Sequence, residues 1–292
     1  MPLWRQASRL SVTPLRGGIT NLNYRVDAEG RAYVLRIGLA GAELLGIDRR
    51  REVQCMVAAG RAGVAPEVVY AQPREGLLVT RFVSGRFLVP DRAVRGEVRM
   101  RVVRAMRRYH GGPPFAGRFS PSRTLESYLA AARGGRAPFP PDADRLFERV
   151  SSIAAILRRN RSAPRPCHND LWGRNLIDDG RRVHIVDWEY AGMGDLFFDL
   201  ANFAIYHCPT DAADAALLSA YFGRARPATL VRLKLMKIVA ELREALWYMV
   251  SLRLPAGRRT SVALAAAHFR RCRRALSHPR LPDWLEAAER RG

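Results

Sequence analysis

The segment His168-Asn169-Asp170-Leu171-Trp172-Gly173-Arg174-Asn175 sets a carboxylate and a carboxamide five residues apart, and Val186-Asp187-Trp188 offers a second carboxylate shortly after. Phosphoryl transfer asks a protein for little more than this: a carboxylate to hold the attacking hydroxyl, and hard oxygen ligands to hold Mg²⁺ on the β- and γ-phosphates. Asp170 has the chemistry to accept the hydroxyl proton, while the Asn175 amide oxygen and the Asp187 carboxylate suit the metal. An isolated H-x-D carries no such meaning, since any Asp can cap a helix or make a turn. The composite carries it.

The elements that must position these groups read as follows. SVTPL, NLNYRVDA and RAYVLRI form three strands over residues 11–37, with turns at Gly17-Gly18 and Glu29-Gly30, and IDRRREVQCMVAAGRAGV carries a helical stripe through Ile47, Val53, Met56 and Val57. EVVYAQ and GLLVTRF predict two more strands before a connector at Ser84-Gly85. Helices are expected from Asp91 to Tyr109, near Leu125–Ala132 and from Asp142 to Arg159. The reactive segment then folds as two strands with a turn at Asp179-Gly180, and the remainder is helical. The expected class is α+β, with residues 1–83 a five-stranded sheet plus one helix and residues 84–292 mostly helical.

CHNDLWGRNLI, VDWEYAG and GDLFFDLANF resemble the catalytic loop, metal-binding motif and buttressing segment of the choline/ethanolamine kinase family, within the aminoglycoside phosphotransferase-like, protein-kinase-like superfamily. The resemblance spans about Leu15 to Tyr248. It implies a two-lobed kinase-like fold with an antiparallel-sheet N-terminal lobe that binds nucleotide and a helical C-terminal lobe that binds substrate. It also implies ATP and Mg²⁺ as cofactors, Asp170 as catalytic base, Asn175 and Asp187 as metal ligands, His168 as a support of the loop, and Asp199 as a structural residue bonded to it. Gly17-Gly18-Ile19-Thr20-Asn21-Leu22-Asn23 is similar to the family's glycine-containing loop between the first two strands, where glycine lets backbone approach phosphate and Thr20, Asn21 and Asn23 offer donors. Arg36 in YVLRI stands where protein kinases have lysine, and Glu52 on the next helix is its expected ion-pair partner.

The acceptor is read from aromatics, because a quaternary ammonium is held by ring faces with a carboxylate nearby. Glu189 and Tyr190 follow Asp187 directly, and Tyr206, Trp247 and Tyr248 lie on later helices, with packing the commoner fate for Tyr206 and Tyr248. ELREALWYMV resembles the late Trp-containing helix of choline kinases. Choline or a related amino-alcohol is therefore the expected acceptor. Aminoglycosides, thiamine and sugars stay open as alternatives, as does a kinase-shaped protein that binds without catalysis.

The formal charge of +22 suits anionic partners, yet of 49 basic residues only Lys234 and Lys237 are lysines, and the arginines are spread along the whole chain. No nucleic-acid-binding signature accompanies that charge, so a nucleic-acid partner is not expected. Cys55, Cys167, Cys208 and Cys272 lie far apart, as in a cytoplasmic protein with reduced thiols. The N-terminus lacks a secretory h-region, and Lys237, Glu241, Arg243 and Glu244 interrupt the most apolar stretch, so no membrane span is expected. His268, Cys272 and His278 match no common zinc spacing, His184 reads as a packed or surface histidine, and His110 as a helix-end residue favoured by the dipole. Oligomeric state is not legible.

Overall fold

The computed structural model describes residues 2–15, 18–90, 96–135, 139–160, 163–254 and 259–290. Gly17 and the expected helix start at Asp91 and Val94 lie outside them.

Alternating polar and apolar residues build an antiparallel sheet from β1 (Leu10–Leu15), β2 (Asn21–Ala28), β3 (Arg31–Gly38), β4 (Val68–Gln72) and β5 (Leu77–Arg81), in the order β1-β2-β3-β5-β4. β2 and β3 are joined by Glu29-Gly30 with φ of 50° and 75°. Both values are positive, as a two-residue turn matching strand twist requires, and glycine takes such a φ without steric cost. Register pairs Asn23 with Arg36, and Arg36 with Leu78 across the next ladder. Val26, Ala28, Tyr33 and Val79 form a small core cluster of the sheet. Helix α1 (Arg49–Arg61) starts where the Asp48 side chain accepts from the amides of Arg50 and Arg51, and it buries Glu52, Cys55, Met56, Ala58 and Ala59.

The C-terminal part is helical: α2 (Gly96–His110), α3 (Pro121–Arg133), α4 (Ala143–Arg159), α5 (Leu196–His207), α6 (Asp211–Phe222), α7 (Pro227–Ser251), α8 (Arg259–Leu276) and α9 (Leu281–Glu289). α7 is the central post, with Leu233, Leu235, Val239, Ala240, Ala245 and Val250 fully buried among α3, α4, α5 and α8. Its charged residues are buried or half-buried, each with a partner. Lys237 bonds Asp214, Glu241 bonds His268 and Arg271, and Arg243 bonds Glu244. Among the described residues no helix is long and apolar enough to cross a membrane, and all four cysteines are free and buried.

Short strands tie the reactive segment into this frame. β7 (Arg165–Cys167) pairs with β10 (Gly192–Gly194), and β6 (Arg86–Phe87), β8 (Leu176–Asp178) and β9 (Val183–Ile185) form a three-stranded sheet. β6 was not expected: Arg86–Phe87, directly after the Ser84-Gly85 connector, pairs with β8. The Ile185 amide donates to the Val64 carbonyl at 2.7 Å, which fixes the β8–β9 hairpin to the end of α1.

Candidate active site

β7 delivers His168-Asn169-Asp170 to the edge of the helical part, and Asn169 turns the chain with φ of 68°. A non-glycine residue keeps a left-handed φ only where its surroundings hold it. Asp199 on α5 does so: its Oδ1 accepts from the Asn169 amide at 2.6 Å and its Oδ2 from the His168 amide at 2.9 Å. The same Oδ2 accepts from the Tyr109 hydroxyl at 2.6 Å and lies 3.0 Å from His110 Nε2. Burial works against that charge, but the bonds from His110 and Tyr109 outweigh it and hold the Asp199 carboxyl below its ordinary range. One turn along α5, Asn202 Oδ1 accepts from the Leu171 amide at 2.5 Å.

His110 thus departs from the sequence expectation. It is buried, bonded to Asp199 and 2.7 Å from the Tyr221 hydroxyl, so a helix-dipole contact does not account for it. The His110, Cys167 and Asp199 ligand atoms lie close enough to suggest a metal, but His110 and Asp199 are already hydrogen-bonded to each other.

Asp170 is held by Asn175, whose Nδ2 donates to the Asp170 carbonyl at 2.9 Å and to its Oδ2 at 2.8 Å. His168 lies beneath the loop: Nε2 is 3.0 Å from the Val186 carbonyl and Nδ1 accepts from the Asp170 amide at 3.2 Å. Burial draws the imidazole down to about 4, so it is neutral, with the proton on Nε2 in this bonding pattern. Asp187 also takes a left-handed φ, 66°, and its Oδ1 meets Arg36 Nη1 at 3.0 Å. Burial pushes the Asp170 and Asp187 carboxyls up, opposed by Arg243 at Asp170 and by Arg36 and Arg49 at Asp187.

On the sheet side Arg36 is ion-paired with Glu52, and Arg49 Nη1 bonds Glu52 at 3.1 Å and Glu189 at 2.5 Å. Thr20 Oγ1 donates to Glu189 at 3.0 Å and Asn21 Nδ2 does so at 2.6 Å. Glu189 is therefore turned toward the loop between β1 and β2 and saturated there, away from the acceptor-binding role expected of it, and it draws the Thr20 and Asn21 donors with it. Gly18 has φ of 110°, and a Cβ there would stand 2.6 Å from the Asn21 carbonyl oxygen, so only glycine closes this turn without strain. Asn23, the remaining polar residue of that loop, is half-buried at the start of β2.

The residues fit Mg²⁺. The Asn175 amide nitrogen is committed to Asp170, and no described hydrogen bond uses its Oδ1, which is the hard oxygen a magnesium ion takes. Among the described residues one Asp187 oxygen has no hydrogen-bond partner, its other meeting Arg36. Glu52 and Glu189 also come near Asp187, but both are committed to arginines.

Residues 11–230 match the phosphotransferase enzyme family. The chain belongs to that family. Protein LicA of Haemophilus influenzae is 28% identical over 212 residues, which cover 69% of this chain and 60% of LicA. The chain thus spans less than two thirds of that relative. The crystal structure of a choline/ethanolamine kinase family protein from Mesorhizobium loti superposes with a TM-score of 0.84 at 28% identity, covering 99% of this chain and 96% of that one. Choline kinase LicA from Streptococcus pneumoniae shares the fold, with a TM-score of 0.79 at 21% identity over 92% of this chain and 94% of that one.

Behind Asp170 this phosphotransferase-family chain holds groups that sequence reasoning missed. Arg243 on α7 places Nη1 3.5 Å from Asp170 Oδ1 and 2.5 Å from Glu244 Oε1. Its guanidinium lies 4.6 Å above the Tyr190 ring and 5.9 Å from that of Tyr128. Glu244 also accepts from Asn202 Nδ2 at 3.0 Å and from the Tyr206 hydroxyl at 2.7 Å. Trp247 Nε1 donates to the Tyr190 hydroxyl at 2.6 Å, while Tyr248 stacks on His268. Of the aromatics singled out in the sequence, Tyr190 lies against Arg243, Trp247 bonds Tyr190, Tyr206 bonds Glu244 and Tyr248 packs on His268. Two adjacent charges inside an apolar helix were the visible signal, and Arg49, three residues before Glu52, was another.

Proposed function

We propose that the chain is a small-molecule kinase that moves the γ-phosphoryl group of ATP onto the hydroxyl of a small alcohol. The observation carrying this reading is that the Asp170–Asn175 pair of the loop and the Asp187–Arg36 pair lie near enough for the Asp187 charge to act on Asp170. Asp170, fixed at one oxygen by Asn175, holds the acceptor hydroxyl and takes its proton. Asn175 Oδ1 and Asp187 would hold Mg²⁺, which would supply neutralisation of phosphate charge. Arg36, oriented by Glu52, reaches the nucleotide phosphates, and backbone near Gly18 lies over them. His168 and Asp199 keep the loop in shape. Nucleotide would lie between an N-terminal lobe of residues 1–83 and a C-terminal lobe of residues 84–292. Four unpaired cysteines support a reducing, cytoplasmic setting.

Support for choline or another amino-alcohol as acceptor comes from the names of the relatives. A polycationic aminoglycoside has less in its favour, because Asp211, Asp214, Glu241 and Glu244 are each paired within the chain. The test is ADP release from ATP and Mg²⁺ with a panel of alcohols. Asp170→Asn is expected to lower kcat by about 10² to 10⁴ with the fold intact. Near-full turnover in that variant removes Asp170 from its role, and absence of ADP with every alcohol leaves a binding protein of kinase shape.

A further inference from the structure

The Tyr190 and Tyr128 rings and the Glu244 carboxylate surround one point next to Asp170, the surroundings that recognise an organic cation. That point is filled by the chain itself. The Arg243 guanidinium is 0% exposed, lies over Tyr190 and is bonded by Glu244. Every oxygen of Glu244 is committed, Oε1 to Arg243 and Asn202 and Oε2 to Tyr206. The Tyr190 ring is fixed by the Trp247 Nε1 donation to its hydroxyl, and its face is covered by the guanidinium. A quaternary ammonium placed here would meet a guanidinium on the ring face and no carboxylate to balance it other than Asp170, which the chemistry needs.

Arg243 is also under-used. Its Nε and Nη2 have no hydrogen-bond partner among the described residues, although a buried guanidinium donor without an acceptor is costly. Nη1 stops 3.5 Å short of Asp170, facing the place where the acceptor hydroxyl must be held without closing onto it. An oxygen acceptor carried next to that hydroxyl would come within reach of Nη1, which donates one of its two N–H groups to Glu244.

Building on the kinase reading above, we infer that the acceptor alcohol carries an oxygen acceptor beside its reacting hydroxyl, as a polyol or hydroxy acid does, that Arg243 reads it, and that a quaternary ammonium alcohol is not the preferred substrate. The experiment is ADP release by the full chain with ATP and Mg²⁺ across choline and ethanolamine, neutral polyols such as glycerol and inositol, and hydroxy acids such as glycerate. The best polyol or hydroxy acid is expected to exceed choline in kcat/KM by about 10- to 100-fold, the weight of a hydrogen bond to a charged group. The neutral and acidic arms tell whether the acceptor is a hydroxyl or a carboxylate. Arg243→Gln is expected to raise the KM of that acceptor at least about tenfold while the KM for ATP stays within about twofold, with partial recovery in Arg243→Lys. Choline as the best acceptor overturns the inference and leaves the kinase reading standing, and this comparison uses unmodified protein, so it does not depend on variants that fold. Equal changes in both KM values, or none, reduce Arg243 to a packing role and also overturn it. No ADP with any acceptor, together with no thermal shift on adding ATP and Mg²⁺, removes both readings.

Discussion

Replacing Asp199 with Asn tests whether one buried carboxylate holds the catalytic loop. Asp199 is 0% exposed and accepts from four donors, three at Oδ2 and one at Oδ1. An asparagine can keep its carbonyl where three donors converge only by turning its NH₂ toward the Asn169 amide, which sets two donors against each other. The reverse orientation loses three bonds instead of one. Hydrogen bonds to a charged group contribute about 1.5 to 3 kcal/mol each, and an orphaned buried donor costs about 1 to 3 kcal/mol, so a loss of about 3 to 5 kcal/mol is expected. Asn169, at φ of 68°, loses the bond that holds it in a sparsely populated region, so the Asp170 backbone relaxes as well. Equilibrium urea unfolding reads the stability loss as a lower midpoint at unchanged slope. Turnover at saturating ATP and acceptor should fall by about tenfold or more even though Asp170 is untouched. A change below about 1 kcal/mol with unaltered kcat would refute the idea that this carboxylate positions the loop.

Arg36→Met should raise the KM for ATP by about 10- to 100-fold and leave the KM for the acceptor nearly unchanged, since Arg36 joins Glu52 and Asp187 on the sheet side; an equal rise in both, seen in paired substrate titrations, would count against its nucleotide role. His207 is buried, and burial alone draws it down to about 4. The unfolded chain then takes up a proton near pH 6.5 before the folded one does, so this residue's contribution is intact above 6.5 and is lost as pH falls toward 4, by up to about 3 kcal/mol. His207→Leu should flatten the dependence of unfolding free energy on pH in that window by a corresponding amount, and a slope identical to that of the unmodified chain would show that His207 is not neutral in the fold.

How far the sequence could be read depended on the distance over which each feature is determined. The strands β1–β5, α1 and the helical remainder follow from side-chain alternation and turn residues within about ten positions, and they stand close to where the pattern predicts. Asp170 and Asn175 were legible as a pair because five positions of one loop set them in hydrogen-bond contact, and Asp187 as a candidate because it follows the next hairpin. β6 was missed because two residues pairing with a strand some ninety positions away leave no periodicity. Glu189 and Tyr190 were both assigned to the acceptor because they directly follow Asp187, but consecutive side chains diverge: the Glu189 carboxylate reaches Thr20, Asn21 and Arg49, while the Tyr190 hydroxyl meets Trp247. His110 was read from its place at a helix end, and only the packing of α2 against the catalytic loop shows its partner to be Asp199.

Those missed partners join into a circuit that gives the site its rigidity. Asp170 is followed by Leu171, whose amide is held by Asn202; Asn202 holds Glu244; Glu244 holds Arg243; and Arg243 returns to within 3.5 Å of Asp170. Each member is buried or nearly so, and a buried charge is tolerable only when its partners are in place. Displacing Asp170 therefore requires disturbing α5 and α7 together, not one loop. The local motif supplies the reacting oxygens, whereas α5 and α7, some thirty and seventy residues later, fix where one of them points and what charge stands beside the acceptor. In a fold shared by enzymes with different acceptors, residues of this second kind are the ones free to change the substrate while the phosphoryl chemistry stays the same.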